Sequence, residues 1–225
     1  MKIIHTDFSG LVIIEPRVFK DPRGYFYESY NKNNFHESSL KYDFVQDNQS
    51  KSSYGVVRGL HYQVEPYAQT KLIRVLQGKI NDVVVDIRKG SPTFYKWFGI
   101  ELSEENHLQL LIPKGFAHGF SVLSKTAVIM YKCDDFYVPE AERGIIYDDK
   151  ELSIDWRIEP DKILVSEKDT GLPALHNADM NFNYQFRSNS YIIYLVFIFG
   201  ALIWIAILLM RDVESGGVDS DAGLG

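Results

Sequence analysis

Between positions 1 and 184 the chain is a succession of short runs in which apolar and β-branched residues recur, several of them alternating with polar positions. LVII (11–14), VVRGLHYQ (56–63), KLIRVLQ (71–77), INDVVVDI (80–87), YKWFGIEL (95–102), LQLLI (108–112) and AVIMYKC (127–133) each predict a strand. Gly78, Gly90-Ser91-Pro92, Pro113-Lys114-Gly115 and Ser124 separate them. Asp21-Pro22-Arg23-Gly24 marks a turn, and RGYFYESY (23–30) sets Phe26, Glu28 and Tyr30 against Tyr25 and Tyr27 as a further strand. NKNNFHESSL (31–40) is the best helix candidate, and a short one. Strands at roughly 8–15-residue spacing with turns between them point to an antiparallel sandwich or barrel.

That pattern stops abruptly near the C-terminus. No charged residue occurs from Ser188 to Met210, and Tyr191–Met210 is apolar on every face. At about 1.5 Å per residue such a segment spans roughly 30 Å as a helix, the thickness of a bilayer core. The expected organisation is a β domain over 1–184, a connector over 185–190, a transmembrane helix over 191–210 and an acidic flexible tail over 211–225. MKIIHTDFSG at the N-terminus has no apolar run of secretion-signal length.

Composition refines this picture. Fourteen Tyr and fourteen Phe suit a β-rich domain better than a helical bundle. The formal charge is −6, but residues 1–210 carry only −3, so the acidic tail supplies half of it. A near-neutral body without a Lys/Arg run argues against a nucleic-acid binder. The single cysteine, Cys133, excludes an intrachain disulfide and suits a reducing compartment.

Of six histidines, His5, His36 and His176 flank turns or termini and are expected to be solvated. His61 and His118 lie within apolar β-type runs, where ring nitrogens need partners; such residues are either satisfied core groups or catalytic bases. PKGFAHGF carries Pro-x-Gly-x-x-His (Pro113, Gly115, His118), which resembles the second motif of the cupin jelly roll. Gly55-x5-His61-Tyr62-Gln63 and Lys71-x6-Gly78 resemble the first. Gln63 and Lys71 stand where that motif has a metal-binding histidine and carboxylate, and an ammonium repels a divalent cation. No metal and no cofactor are expected, which argues against a cupin oxygenase.

Seven ordered blocks carry a closer resemblance: FKDPRGYFYESYN (19–31), QDNQSKS (46–52), VVRGLHYQ (56–63), KLIRVLQGKINDVVVDIR (71–88), PKGFAHGF (113–120), YKCDDFYVPEAERGI (131–145) and SEKDTGLP (166–173). Together they resemble the dTDP-4-dehydrorhamnose 3,5-epimerase family. The resemblance implies a mainly β fold, a cupin double-stranded β-helix (jelly roll) with a few short helices, here followed by a single C-terminal transmembrane helix. It implies as substrate a dTDP-4-keto-6-deoxyhexose whose C3 and C5 protons lie alpha to a ketone, so inversion needs a base, an opposed acid and a cation for the enolate oxygen.

By that resemblance His61 is the base, Asp169 its partner, Tyr131 the acid and Lys71 the charge on the developing O4 oxyanion. Substrate contacts are implied for Arg23, Glu28, Gln46, Asp47, Asn48, Arg58, Lys71, His118, Glu142 and Lys168. Phe26 and Tyr137 are candidates to sandwich the base. Taken alone, Tyr131 reads as a core aromatic in parity with Ile129 and Ala127, and Asp169 as a turn aspartate. Arg58 and His61 are three positions apart, so lining one pocket together requires a bulge at Gly59 or strong twist.

The resemblance also implies a homodimer in which Arg23–Glu28 reach the partner's pocket. Arg187 and Arg211 tie under the positive-inside rule. The missing signal and the cytosolic supply of nucleotide sugars place the domain on the cytoplasmic side, tethered through 191–210. Epimerisation at one centre only, and a silent sugar-nucleotide-binding module, remain the alternatives.

Overall fold

The structure is a computed structural model that describes residues 1–185. Met1–Tyr184 form one compact unit. Its strands in chain order are β1 (Lys2–His5), β2 (Val12–Glu15), β3 (Phe19–Asp21), β4 (Gly24–Phe26), β5 (Gln46–Ser53), β6 (Val57–Gln63), β7 (Lys71–Gln77), β8 (Lys79–Asp86), β9 (Trp97–Ser103), β10 (Gln109–Ile112), β11 (Phe116–Val122), β12 (Thr126–Cys133) and β13 (Glu142–Gly144). Two short helices, α1 (Lys32–Glu37) and α2 (Glu167–Thr170), and three single-turn 3-10 segments complete the described elements.

The strands form a six-stranded sheet in the order β1-β2-β10-β7-β12-β5 and a five-stranded sheet in the order β13-β6-β11-β8-β9. Every pairing within the two sheets is antiparallel. This is the jelly-roll arrangement that the cupin-like motifs imply.

Alternation explains the layering. On β8, Ile80 and Val84 join Ile73, Val75, Leu110, Phe120 and Ile129 in one core cluster drawn from both sheets. Val83 and Val85 instead join Val57, Tyr62, Ala117, Trp156 and Phe182. A strand buried on both faces can carry consecutive apolar residues, as Val83-Val84-Val85 do here. The six-stranded sheet has its own outer cluster, in which Val12, Ile14, Leu72 and Leu111 meet Phe35 of α1. Burying a side chain such as Ile73 completely is worth about 1.5–3 kcal/mol.

Several expectations need correction. The strand expected over 23–30 shrinks to Gly24–Phe26 and pairs only with β3, as a hairpin outside both main sheets. Its exposed face has no sheet to join. The helix expected over 31–40 ends at Glu37, after Asn31 caps the N–H groups of Asn33 and Asn34. His36, expected to be solvated, has a buried Nε2 without a hydrogen-bond partner.

β1, β3, β5, β11 and β13 lie outside the expected runs, and β5 is one that no apolar pattern could announce, because QDNQSKSS contains no apolar residue. It pairs with β12 along its full length at the sheet edge. Among the described residues no helix is long and apolar enough to cross a membrane. The expected membrane segment 191–210 and tail 211–225 lie outside the described residues.

Candidate active site

A cavity of about 520 Å³ is lined from both sheets. Arg58 and His61 come from β6 and His118 from β11, all in the five-stranded sheet; Lys71 from β7 and Tyr131 from β12 belong to the six-stranded one. Ser166, Lys168 and Asp169 at α2 close one side. A second cavity of about 310 Å³ also touches His61, Lys71 and Tyr131 and adds Gln46, Asn48, Tyr137 and Glu142.

The bulge that Arg58 and His61 require is present. His118 pairs with His61 and Phe120 with Arg58, so β6 spends three steps where β11 spends two. Gly59 supplies the irregular step with φ +109°. A Cβ there would lie 2.6 Å from the His118 carbonyl oxygen, so only glycine permits this approach.

His61 Nε2 lies 2.9 Å from Asp169 Oδ1. Ser166 caps α2 by accepting from the Asp169 N–H, which turns the aspartate back toward β6. Its other oxygen, Oδ2, accepts from the Gly59 N–H at 3.1 Å. Burial pushes the Asp169 carboxyl up, but the hydrogen bonds from His61 and Gly59 outweigh it and hold the group below the ordinary carboxylate value. With Nε2–H donating to this carboxylate, the neutral imidazole carries its lone pair on Nδ1.

On the facing sheet, burial raises the Tyr131 hydroxyl above its usual value, so it stays protonated through neutral pH. Burial lowers the Lys71 ammonium, and its Nζ sits 5.9 Å from the centre of the Tyr131 ring. The base candidate therefore stands on one sheet, and the acid candidate with the cation beside it on the other.

Gln63, at the position of a cupin metal ligand, is tied into the fold. Its Nε2 donates to the carbonyls of Tyr67 and Phe136, and its Oε1 accepts from the Val138 N–H.

At the second cavity the Tyr137 hydroxyl and the Lys168 ammonium both donate to Glu142 Oε2 at 2.6 Å. Burial raises the Glu142 carboxyl, but Lys168 and Tyr137 outweigh it and hold it below the usual value. Gln46 accepts from the Tyr137 N–H and donates to Asn48.

Four expected contacts fall outside these cavities. Asp47 is turned to the opposite face of β5, where strand alternation puts it, and pairs with Lys132 at 2.9 Å. Arg23 pairs with Asp21 at the hairpin turn. Glu28 accepts from Asn31 and Asn34 beside α1. Phe26 is 70% exposed and, with Glu28, borders a separate cavity of about 300 Å³. No base sandwich between Phe26 and Tyr137 forms within the described residues.

Sequence reasoning overlooked Ser50, which lines the cavity, and Ser52, which accepts from Arg58 Nε at 3.0 Å. The alternation of Gln46, Asn48, Ser50 and Ser52 was their signal. It also overlooked Asp82, whose carboxylate contacts His118 Nε2 at 3.0 Å. A carboxylate in parity with Ile80 and Val84 of an otherwise apolar run was the clue.

Comparison with known proteins gives the family. The family described as dTDP-4-dehydrorhamnose 3,5-epimerase matches residues 5–177. A Shigella flexneri protein of that name is 52% identical over 180 residues, 80% of this chain and 98% of its own. The crystal structure of the Elizabethkingia anophelis protein of that name is similar at TM-score 0.76 and 53% identity, covering 79% of this chain and 97% of its own. A Legionella pneumophila dTDP-6-deoxy-D-glucose-3,5-epimerase in complex with dTDP-4-keto-L-rhamnose is similar at TM-score 0.78 and 48% identity, over 82% of this chain and 98% of its own. On the family match and these identities, the chain belongs to the dTDP-4-dehydrorhamnose 3,5-epimerase family.

Proposed function

We propose that this chain is a dTDP-4-dehydro-6-deoxyglucose 3,5-epimerase that forms dTDP-4-dehydro-L-rhamnose. The observation that carries the reading is the opposition across one cavity of His61–Asp169 on one sheet and Tyr131 with Lys71 on the other. The C4 ketone acidifies the protons at C3 and C5, and no redox step is needed. His61 Nδ1 removes these protons in turn, and the Asp169 carboxylate stabilises the imidazolium that results each time. The electron pair moves onto O4, where the Lys71 ammonium meets the charge. Tyr131 O–H returns a proton from the other wall, inverting the carbon; before the next abstraction the imidazolium gives its proton to solvent and the phenolate takes one up.

The remaining residues suit the nucleotide. Arg58 and Lys168 are the cations for the diphosphate and sugar, and Tyr137 offers a ring to thymine. His118, Gln46, Asn48 and Glu142 complete the polar lining. Arg23, Phe26 and Glu28 act in a homodimer, where the β3–β4 hairpin serves the partner's pocket. Residues 1–184 form the catalytic domain on the cytoplasmic side, with 185–190 as connector, 191–210 as membrane helix and 211–225 as tail. Enzyme recovered in the detergent-free supernatant of the full-length chain would overturn the anchor.

The function is tested in D2O with dTDP-4-keto-6-deoxyglucose. Deuterium at both C3 and C5, with the L-rhamno product seen by NMR, is expected. Label at one carbon makes it a single-centre epimerase, and label at neither makes it a binding module.

A further inference from the structure

Two carboxylates on β8 are fully buried, four residues apart and in the same parity, yet they are satisfied very differently. Asp86 accepts from the backbone N–H, Nε and Nη2 of Arg88 and from the hydroxyls of Ser91 and Thr93. Asp82 has one hydrogen-bonding partner among the described residues, the Nε2 of His118, which it meets with both oxygens at 3.0 and 3.2 Å. A buried carboxylate so thinly supported is costly in a core, and the cost is a reason to look for a task.

That task is visible in what surrounds Lys71. Its ammonium lies 5.9 Å from the centre of the Tyr131 ring, and Cys133, Glu142 and Asp82 are close enough to act on it electrostatically. The Cys133 thiol is pushed by burial up to about 11, so it is neutral at physiological pH. The Glu142 carboxylate already holds Lys168 and Tyr137. Asp82 is the buried anion without another cation, and its one tether is a histidine that lines the same cavity as Lys71.

We propose that Asp82 is a positioning residue for the electrophilic side of the site: it fixes the His118 ring through Nε2 and supplies the counter-charge that keeps the Lys71 ammonium in place at the ketone oxygen. His118 Nδ1, with no partner among the described residues, is then the nitrogen offered to the sugar. The two imidazole–carboxylate pairs sit side by side, since His61 and His118 are register partners on β6 and β11. They divide the work. Asp169 serves the proton-abstracting ring, and Asp82 serves the side that receives the electrons.

This inference rests on the epimerase reading, so wild-type exchange at C3 and C5 is measured first; its absence sinks that reading and not this one alone. Asp82→Asn is then expected to lower kcat by about 10–100-fold, the range typical of groups that support an active ligand, with KM within about threefold. Removing the anion makes the Lys71 ammonium easier to deprotonate, so the alkaline limb of kcat shifts to lower pH. Asp86→Asn is the matched control, expected to lower Tm without moving that limb. An Asp82→Asn profile superimposable on wild type overturns the proposal. Should that variant not fold, the ring-15N spectrum of the wild type decides: His118 must be protonated at Nε2, and a ring protonated only at Nδ1 contradicts the assignment.

Discussion

The cavity between the sheets and the β3–β4 hairpin both carry residues expected to touch substrate, and they are built in opposite ways. In the cavity three polar groups are each held by a partner from another element: His61 by Asp169, Arg58 by Ser52, His118 by Asp82. Those links join residues 6 to 108 positions apart. On the hairpin the contacts are local, as in Arg23 with Asp21, while Phe19, Tyr25 and Phe26 stand exposed. Tyr25 and Tyr27, against His107 at 4.7 and 5.2 Å, bring aromatic rings of this region onto the main body. The contrast separates two requirements. Proton transfer needs groups pre-set in a stiff frame, whereas holding a flat base needs apolar surface that a second chain can bring.

Substitutions on the two sides should therefore fail differently. Tyr131→Phe removes only a hydroxyl from the stiff side and is expected to cost about 10²–10⁴-fold in kcat with little change in KM. An unchanged kcat would move the acid elsewhere. Phe26→Ala on the hairpin should leave kcat intact and raise KM, since one aromatic platform under a base is worth about 1–3 kcal/mol. A kcat loss there, with KM unchanged, would erase the division of labour. Stability should follow the same line in reverse. Ile73→Ala, deep between the sheets, should cost about 2–5 kcal/mol in urea unfolding. Phe26→Ala should cost least, because its ring is already in water; a comparable loss would mean that the hairpin packs onto the domain.

Much of the stiff side was legible in the sequence. Apolar runs located β6, β7, β8, β10 and β12 to within a residue or two, because buried strands must be apolar. The spacing of Arg58 and His61 demanded an irregular step, and Gly59 provides it. β5 was not legible from periodicity. One of its faces meets the cavity and the other meets water, so neither face selects apolar residues. Asp47 shows the limit of carrying a block of residues together: three consecutive positions of a strand cannot all face one pocket. Asp169 was readable only through its neighbours, since a Ser-x-x-Asp turn is common and its pairing with a histidine 108 positions away is set by the fold. The hairpin misled for the converse reason. Its alternation is that of a strand, but alternation does not say whether a sheet lies beside it.

The central claim is that His61 alone takes the proton at both carbons. It is tested by incubating His61→Ala with dTDP-4-keto-6-deoxyglucose in D2O and reading label at C3 and C5 separately. The account predicts no enzyme-dependent deuterium at either carbon while the variant keeps its fold and its affinity for dTDP. Incorporation of wild-type magnitude at either position would contradict it and make another residue the base there.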